Sequence, residues 1–141
     1  MFAKMLCGGD LYAQMAQVGQ VMTNADGSKG VVFYIDADGK GGLMVALTDA
    51  TAGTARAWGA AGDVAGIVNI GASQNYDDYF SATALDGKAN TAFMNNNSGY
   101  ARYYVSQMTG GSNWFIPSSG QMSRLYAAMP FIENAIIAAG G

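Results

Sequence analysis

Aspartates are the residues of this sequence that could do acid–base chemistry, because it contains no histidine, one cysteine (Cys7) and one glutamate (Glu133). Without histidine, neither a Ser-His-Asp nor a Cys-His arrangement can form, and the usual general base is missing. One cysteine can build neither an internal disulfide nor a thiolate zinc site. The adjacent Asp77 and Asp78 would point apart in an extended backbone, which does not suit a catalytic pair. The sequence therefore predicts a protein that is not an enzyme.

The segment DADGKGG (36–42) has the spacing that comes nearest to a metal site. Two of its aspartates and a glycine match positions 1, 3 and 6 of an EF-hand calcium loop. However, Lys40 and Leu47 stand where that loop needs oxygen ligands. A turn between two strands explains the same residues, since Asp and Gly favour turns. We therefore predict neither a metal nor a cofactor.

Aromatic side chains are the remaining candidates for ligand recognition, because they stack on sugars, anchor protein interfaces and also fill cores. Tyr76, Tyr79 and Tyr100 lie beside polar neighbours, and we take them as candidate ligand contacts. Trp58 and Trp114 are interpreted as structural residues. The second tryptophan precedes a Phe-Ile pair, and we expect its ring to lie in the core.

Charged residues make up 12 % of the sequence, about half of the usual share of roughly 25 %. The seven lysines and arginines are scattered, so no basic stripe follows a phosphate backbone and no nucleic-acid partner is expected. No run approaches the ~20 apolar residues of a membrane-spanning helix, so we expect no membrane insertion. The net charge is −3, which leaves few charges to hold copies apart, and self-association is expected.

Alternating apolar segments and turns predict a three-stranded antiparallel meander in the N-terminal half. Its strands are VGQVM (18–22), VVFYI (31–35) and LMVALT (43–48). The second and third are apolar almost throughout, as in strands that are buried on both faces. Residues 1–17 precede the three strands. They are predicted to form a helical arm, because Leu11, Met15 and Val18 recur at helical spacing.

Residues 49–86 have no sustained periodicity and predict a long irregular insert. Ser98 could begin a helix, and Ser118 with Gln121 forms a capping box for another. Pro130 suits the first turn of a further helix. Together these elements predict one α+β domain over residues 18–141, with an antiparallel sheet of about three strands and two or three C-terminal helices.

Three segments in the same order resemble a family of Bacteroidetes surface and phage-associated domains, related to the DUF1566 group and with C-type-lectin-like character. NWFIPSSGQMSRLY (113–126) is similar to the family's W-x-L-P-S-A-G-E-L segment. Residues 30–50 look like its opening strand pair, and LDGKANTAFM (85–94) looks like its D-G-K-A-N-T segment. Gln121 stands where the family usually has Glu, and Ile116 where it has Leu.

The resemblance implies an incomplete C-type-lectin-like domain with a binding or display role at a bacterial or phage surface. It implies structural roles for Pro117, Ser118, Gly120 and Gln121, which lie in the matched segment. Family members continue into a second half, so we expect a chain truncated at its C-terminus. They often carry a secretion signal, which MFAKMLCGGD does not resemble. The localisation stays open between a phage particle and a cell surface.

Two functions follow as expectations. The first is a binding module for a glycan or a protein surface. The second is a structural subunit that assembles into a phage particle or fibre. We expect the helices to cover only one face of the sheet, so that a second copy, or a chain supplying the missing half, covers the other.

Overall fold

A computed structural model describes residues 3–7, 16–59, 64–67 and 86–141. Within these ranges the chain forms five strands and three α-helices. In chain order they are β1 (Ala3–Cys7), β2 (Val21–Thr23), β3 (Lys29–Ile35), β4 (Gly41–Ala46), α1 (Gly87–Phe93), α2 (Ala101–Ser106), a 3₁₀ turn (Gly111–Asn113), β5 (Trp114–Phe115) and α3 (Ser119–Ala138). The predicted α+β class is confirmed.

The strands of the described ranges form one sheet in the order β2-β3-β4-β1-β5, and each neighbouring pair is antiparallel. The predicted meander is confirmed as β2, β3 and β4. Residues 36–40 form the turn between β3 and β4, closed by a hydrogen bond from the Asp36 N–H to the Gly41 carbonyl at 2.9 Å. Gly39 has φ +69° in this turn, a conformation that glycine adopts without steric cost.

The predicted helical arm over residues 1–17 is wrong at residues 3–7, which form β1. This strand pairs with β4 on one side and with β5 on the other. Both edges of its backbone are thereby paired, and the helical spacing of Leu11, Met15 and Val18 does not extend into this strand. Residues 8–15 lie outside the described residues. Gln17 accepts a hydrogen bond from the Gln20 N–H at 2.9 Å, in a turn that leads into β2.

Helices cover both faces of the sheet. On one face, Val31, Phe33, Leu43 and Val45 pack with residues of α3 such as Leu125. On the other face a second cluster joins β4 to α2 and β5, through the side chains of Met44, Ala101, Val105, Trp114 and Ile116. The prediction that β3 and β4 are buried on both faces is therefore confirmed. The expectation that helices cover only one face is wrong, because α2 packs against the other face through Ala101 and Val105.

The third helix, α3, is one continuous helix of 20 residues and includes Pro130. The prediction that a new helix begins at this proline is wrong. Leu125, Ala128 and Ile132 are buried around it and hold both halves of α3 against the sheet. Proline weakens a helix because it removes one N–H donor, and this packing outweighs that loss. The helix ends at Ala138, and Gly140 just beyond it has φ +88°.

The second helix begins at Ala101 rather than at Ser98, and it is short. Neither α1 nor β5 was predicted from the sequence. In the predicted insert, residues 49–59 form turns and one isolated bridge, in which Ala57 pairs with Tyr100.

Candidate functional site

The segment from Trp114 to Gln121 links the sheet to all three helices. Trp114 is 3 % exposed, and its indole N–H donates to the Thr109 carbonyl at 2.7 Å. Ser118 and Gln121 form the capping box that begins α3. Gly120 is buried and Pro117 is half-buried. These residues hold the sheet and the helices together.

Two buried polar side chains join this segment to α1. Gln121 Oε1 accepts hydrogen bonds from the Gly87 N–H at 3.0 Å and from the Ser118 N–H at 3.1 Å. Thr91 Oγ1 accepts from the Ile116 N–H at 2.9 Å and donates to the Gly87 carbonyl at 2.7 Å. Buried polar groups need hydrogen-bond partners, and the side chains of Gln121 and Thr91 both have them here.

Gly87 lies at the closest approach between α1 and this segment. A Cβ atom there would lie 2.3 Å from Gln121 Oε1, 2.7 Å from the Ile116 carbonyl oxygen and 2.7 Å from the Ser118 nitrogen. Two of these atoms belong to the backbone and cannot move cheaply. The absence of a side chain at position 87 therefore allows the hydrogen bonds described above to form.

The predicted ligand contacts are only partly placed. Tyr76 and Tyr79 lie outside the described residues. Tyr100 is half-buried at the start of α2, where the Ala101 N–H donates to the Ala57 carbonyl at 2.9 Å. Among the described residues, Tyr100 is therefore the one predicted ligand contact that has a position.

The structural role predicted for Trp58 is not supported, because its side chain is 62 % exposed. The backbone of Ala57 pairs with that of Tyr100, and because of this bridge residues 54–58 lie on the surface at the start of α2. Trp58 is therefore available to a partner, whereas Trp114 is almost entirely buried.

An open cleft of about 500 Å³ lies between α2 and the ends of β3 and β4. Trp114, Met108 and Leu47 supply its apolar wall. Polar side chains also line it, from Lys29, Thr48, Asp49, Tyr104, Gln107 and Thr109. Cavities that bind small ligands have this size and combine an apolar wall with a few polar groups. We define these lining residues as the α2 cleft and take it as the candidate binding site.

Asp49 is held in a fixed orientation within the α2 cleft. Its Oδ1 accepts from the Thr51 N–H at 2.9 Å and from the Thr51 hydroxyl at 3.0 Å, and its Oδ2 accepts from the Gly53 N–H at 3.0 Å. The hydrogen bond from the Thr51 backbone, followed by that from its hydroxyl, lowers the pKa of Asp49. The carboxylate is therefore ionised at neutral pH. About four acceptor positions exist on a carboxylate, so roughly one remains for a ligand.

Two contacts fix the ring of Tyr104 at the edge of the α2 cleft. The Arg56 guanidinium lies 4.4 Å from the ring centroid, as in a cation–π pair. The Tyr103 ring meets it edge to face, with the centroids 5.4 Å apart. Arg56 covers one face of the Tyr104 ring, so a ligand in the cleft would meet its edge, its hydroxyl or its other face.

The α2 cleft places hydrogen-bond donors and acceptors around an apolar wall. Among the described residues, no group of three or more His, Cys, Asp or Glu side chains could hold a metal ion. In the same part of the chain, no helix has both the length and the apolar character needed to cross a membrane.

Sequence reasoning missed Asp49, Tyr104 and Gln107 as possible contacts. The sequence did contain one signal for Asp49. An Asp followed at short distance by Thr and Gly, here Thr51 and Gly53, is typical of a turn in which the Asp side chain accepts backbone hydrogen bonds. No local signal relates α2 to the end of β4, because their contact depends on the packing of α2 against the sheet.

Comparisons with family models, with curated proteins and with solved structures find no match for this chain. Any function must therefore be argued from the residues and the geometry of the α2 cleft.

Proposed function

We propose that this chain is a non-enzymatic binding module that recognises a glycan in the α2 cleft, at a bacterial or phage surface. The observation that carries the proposal is the α2 cleft itself, an open cavity of about 500 Å³ whose lining residues include Asp49, and the Asp49 carboxylate is already ordered by hydrogen bonds from Thr51 and Gly53. Preorganised acceptors lower the entropy cost of binding, because the side chain is already ordered before the ligand arrives.

The composition of the cleft favours a ligand that is rich in hydroxyl groups. A sugar hydroxyl both donates and accepts, and Asp49, Gln107 and Lys29 together offer acceptors and donors within one cavity. The Tyr104 ring adds an aromatic surface of the kind that stacks on sugars. The cleft carries one lysine and one aspartate, so it does not select a strongly charged ligand.

The sequence resemblance to surface and phage-associated domains supports a role in recognition or display. Two of the three segments that carry this resemblance contact each other through Thr91 and Ile116, at 2.9 Å. Residues 47–50 and Trp114 line the α2 cleft and lie in two of these segments, so the resemblance covers part of the cleft as well as the scaffold. The absence of an enzymatic activity remains part of the proposal.

A glycan array probed with the full chain tests this function. Each glycan that binds would then be titrated calorimetrically against the wild type, Asp49→Asn and Gln107→Ala. We expect each substitution to weaken binding by tenfold or more, the cost of losing about one hydrogen bond to a charged or fixed partner. Asp38→Asn is the matched control, because Asp38 is an exposed turn carboxylate outside the cleft. Equal affinities in all four proteins would refute the proposed site.

A second candidate function is a structural subunit that assembles into a particle or fibre. The observation that favours it is the exposure of large apolar side chains along α3, among them Tyr126 at 82 % and Ile137 at 63 %. Contiguous exposed apolar patches mark sites of protein–protein interaction. The two functions use different parts of the molecule, so they are compatible.

A further inference from the structure

One side of α3 carries an apolar row that points away from the core. We define the outer stripe as Met122, Tyr126, Glu133 and Ile137. These residues are separated by four, seven and four positions, which are close to one, two and one helical turns of 3.6 residues. They therefore share one side of the helix. The exposed fractions are 42 % for Met122, 82 % for Tyr126 and 63 % for Ile137. Glu133, also exposed, is the one charged member of the stripe.

The outer stripe is separate from the side of α3 that packs on the sheet. Leu125 and Ile132 are 2 % and 0 % exposed and form that buried side. Between the two sides lies Met129, which is half-buried and packs against the core. Residues 122, 126, 129 and 133 thus alternate by four and three, the spacing of helices that pack side by side.

We infer that the outer stripe is covered by the same stripe of a second copy of this chain, with the two α3 helices antiparallel. This inference rests on the self-assembly function proposed above and names its partner and register. A two-fold axis between Met129 and Pro130 places Met122 opposite Ile137 of the second copy, and Tyr126 opposite its Glu133. By symmetry each contact occurs twice, as in an isologous dimer interface.

The order of residues along the stripe is what favours a second copy in this orientation. Apolar residues at the two ends, Met122 and Ile137, meet each other. At the inner positions, each Tyr126 hydroxyl can donate to a Glu133 carboxylate, which gives the buried charge the partner it needs. A parallel arrangement would instead place Glu133 against Glu133 and is disfavoured by repulsion between like charges.

Disulfide trapping tests the register. In a Cys7→Ser background, one protein would carry Met122→Cys and another Ile137→Cys. We expect a cross-linked dimer under mild oxidation when the two are mixed, and little when each is oxidised alone, because equal positions lie about 22 Å apart in the antiparallel pair. Cross-linking of each protein alone would indicate a parallel pair and would overturn the inference. Absence of any cross-link would overturn it as well.

Charge exchange tests the Tyr126–Glu133 contact. Light scattering after size exclusion should give twice 14.6 kDa for the wild type at high concentration. We expect Tyr126→Glu to raise the dimer dissociation constant at least tenfold, and Tyr126→Glu with Glu133→Lys to restore it. Phe131→Glu is the control, because Phe131 is 74 % exposed on α3 but lies outside the stripe.

The outcomes distinguish the proposal that the chain self-assembles from the inference that α3 forms the interface. If the wild type self-associates and Tyr126→Glu has no more effect than Phe131→Glu, assembly stands and the α3 interface is wrong. If the wild type is a monomer at every concentration, both are wrong. Circular dichroism confirms that each variant is folded before its mass is compared.

Discussion

Replacement of Thr91 by valine tests how the segment around Trp114 is held. Valine has nearly the shape of threonine, but it lacks the hydroxyl that accepts the Ile116 N–H at 2.9 Å and donates to the Gly87 carbonyl at 2.7 Å. Thr91 is 7 % exposed, so water does not easily replace these bonds. The variant would leave a buried N–H without its partner.

The expected loss in the free energy of unfolding is about 1–3 kcal/mol, the cost of leaving one buried donor unpaired. This is a substantial share of the roughly 5–15 kcal/mol that stabilises a typical domain. With a urea slope of about 1–3 kcal/mol/M, the midpoint of unfolding should fall by roughly 1 M. The slope itself should stay the same, because the surface exposed on unfolding hardly changes.

Equilibrium urea unfolding, followed by circular dichroism, measures this loss. Thr91→Ser keeps the hydroxyl and should lose only about the 0.8 kcal/mol of one methyl group. Thr23→Val is the matched control, since Thr23 is exposed on β2 and should change stability by less than about 0.5 kcal/mol. If Thr91→Val unfolds at the wild-type midpoint, or if Thr91→Ser is equally damaging, the hydroxyl does not hold this segment.

Four further results are expected. Trp114→Ala should cost about 3–5 kcal/mol in urea unfolding, because it empties a buried aromatic site; a wild-type midpoint would contradict its burial. Gly87→Ala should destabilise the fold, because its Cβ would lie 2.7 Å from two backbone atoms, and an unchanged melting temperature would argue against this close approach. Thr51→Val should raise the pKa of Asp49 in an NMR titration, since the hydroxyl of Thr51 helps to lower it. Because folding lowers the pKa of Asp49, this group stabilises the fold at pH values above its unfolded pKa of about 3.9, and the stabilisation is lost as the pH falls through the folded pKa. An Asp49 titration that is the same in Thr51→Val and the wild type would show that the Thr51 hydroxyl does not lower this pKa. Thermal melts with and without EDTA should coincide; a fall that calcium reverses would indicate a metal site at residues 36–42.

The elements that could be predicted from sequence are those whose signals are local. The strands β3 and β4 are apolar runs separated by Asp-Gly turns, and the start of α3 carries its own capping box at Ser118 and Gln121. Each of these depends on a few neighbouring residues, so the sequence alone indicates them.

The elements that could not be predicted depend on contacts between distant residues. The strand β1 forms because β4 and β5 offer it two edges, and β5 is only two residues long. Pro130 stays within α3 because Leu125, Ala128 and Ile132 are buried on either side of it. A local proline signal cannot report such packing.

The candidate site shows the same division. Asp49 can be recognised from its turn, through the hydrogen bonds to Thr51 and Gly53. Its neighbour Tyr104 comes from a helix far along the chain and reaches the cleft only through the packing of α2 on the sheet. Trp58 was interpreted from the sequence as a structural residue, and its exposure follows from the path of residues 54–58 over the surface.

The most direct test of the proposed function is amide chemical-shift mapping during a titration with the glycan that binds best on the array. Recognition in the α2 cleft predicts that the largest shifts lie at residues 48–50 and 104–109, which line it from two sides. The β3–β4 turn at residues 36–40 should stay unperturbed. Shifts centred away from the cleft, or no binding to any glycan tested, would contradict the proposal.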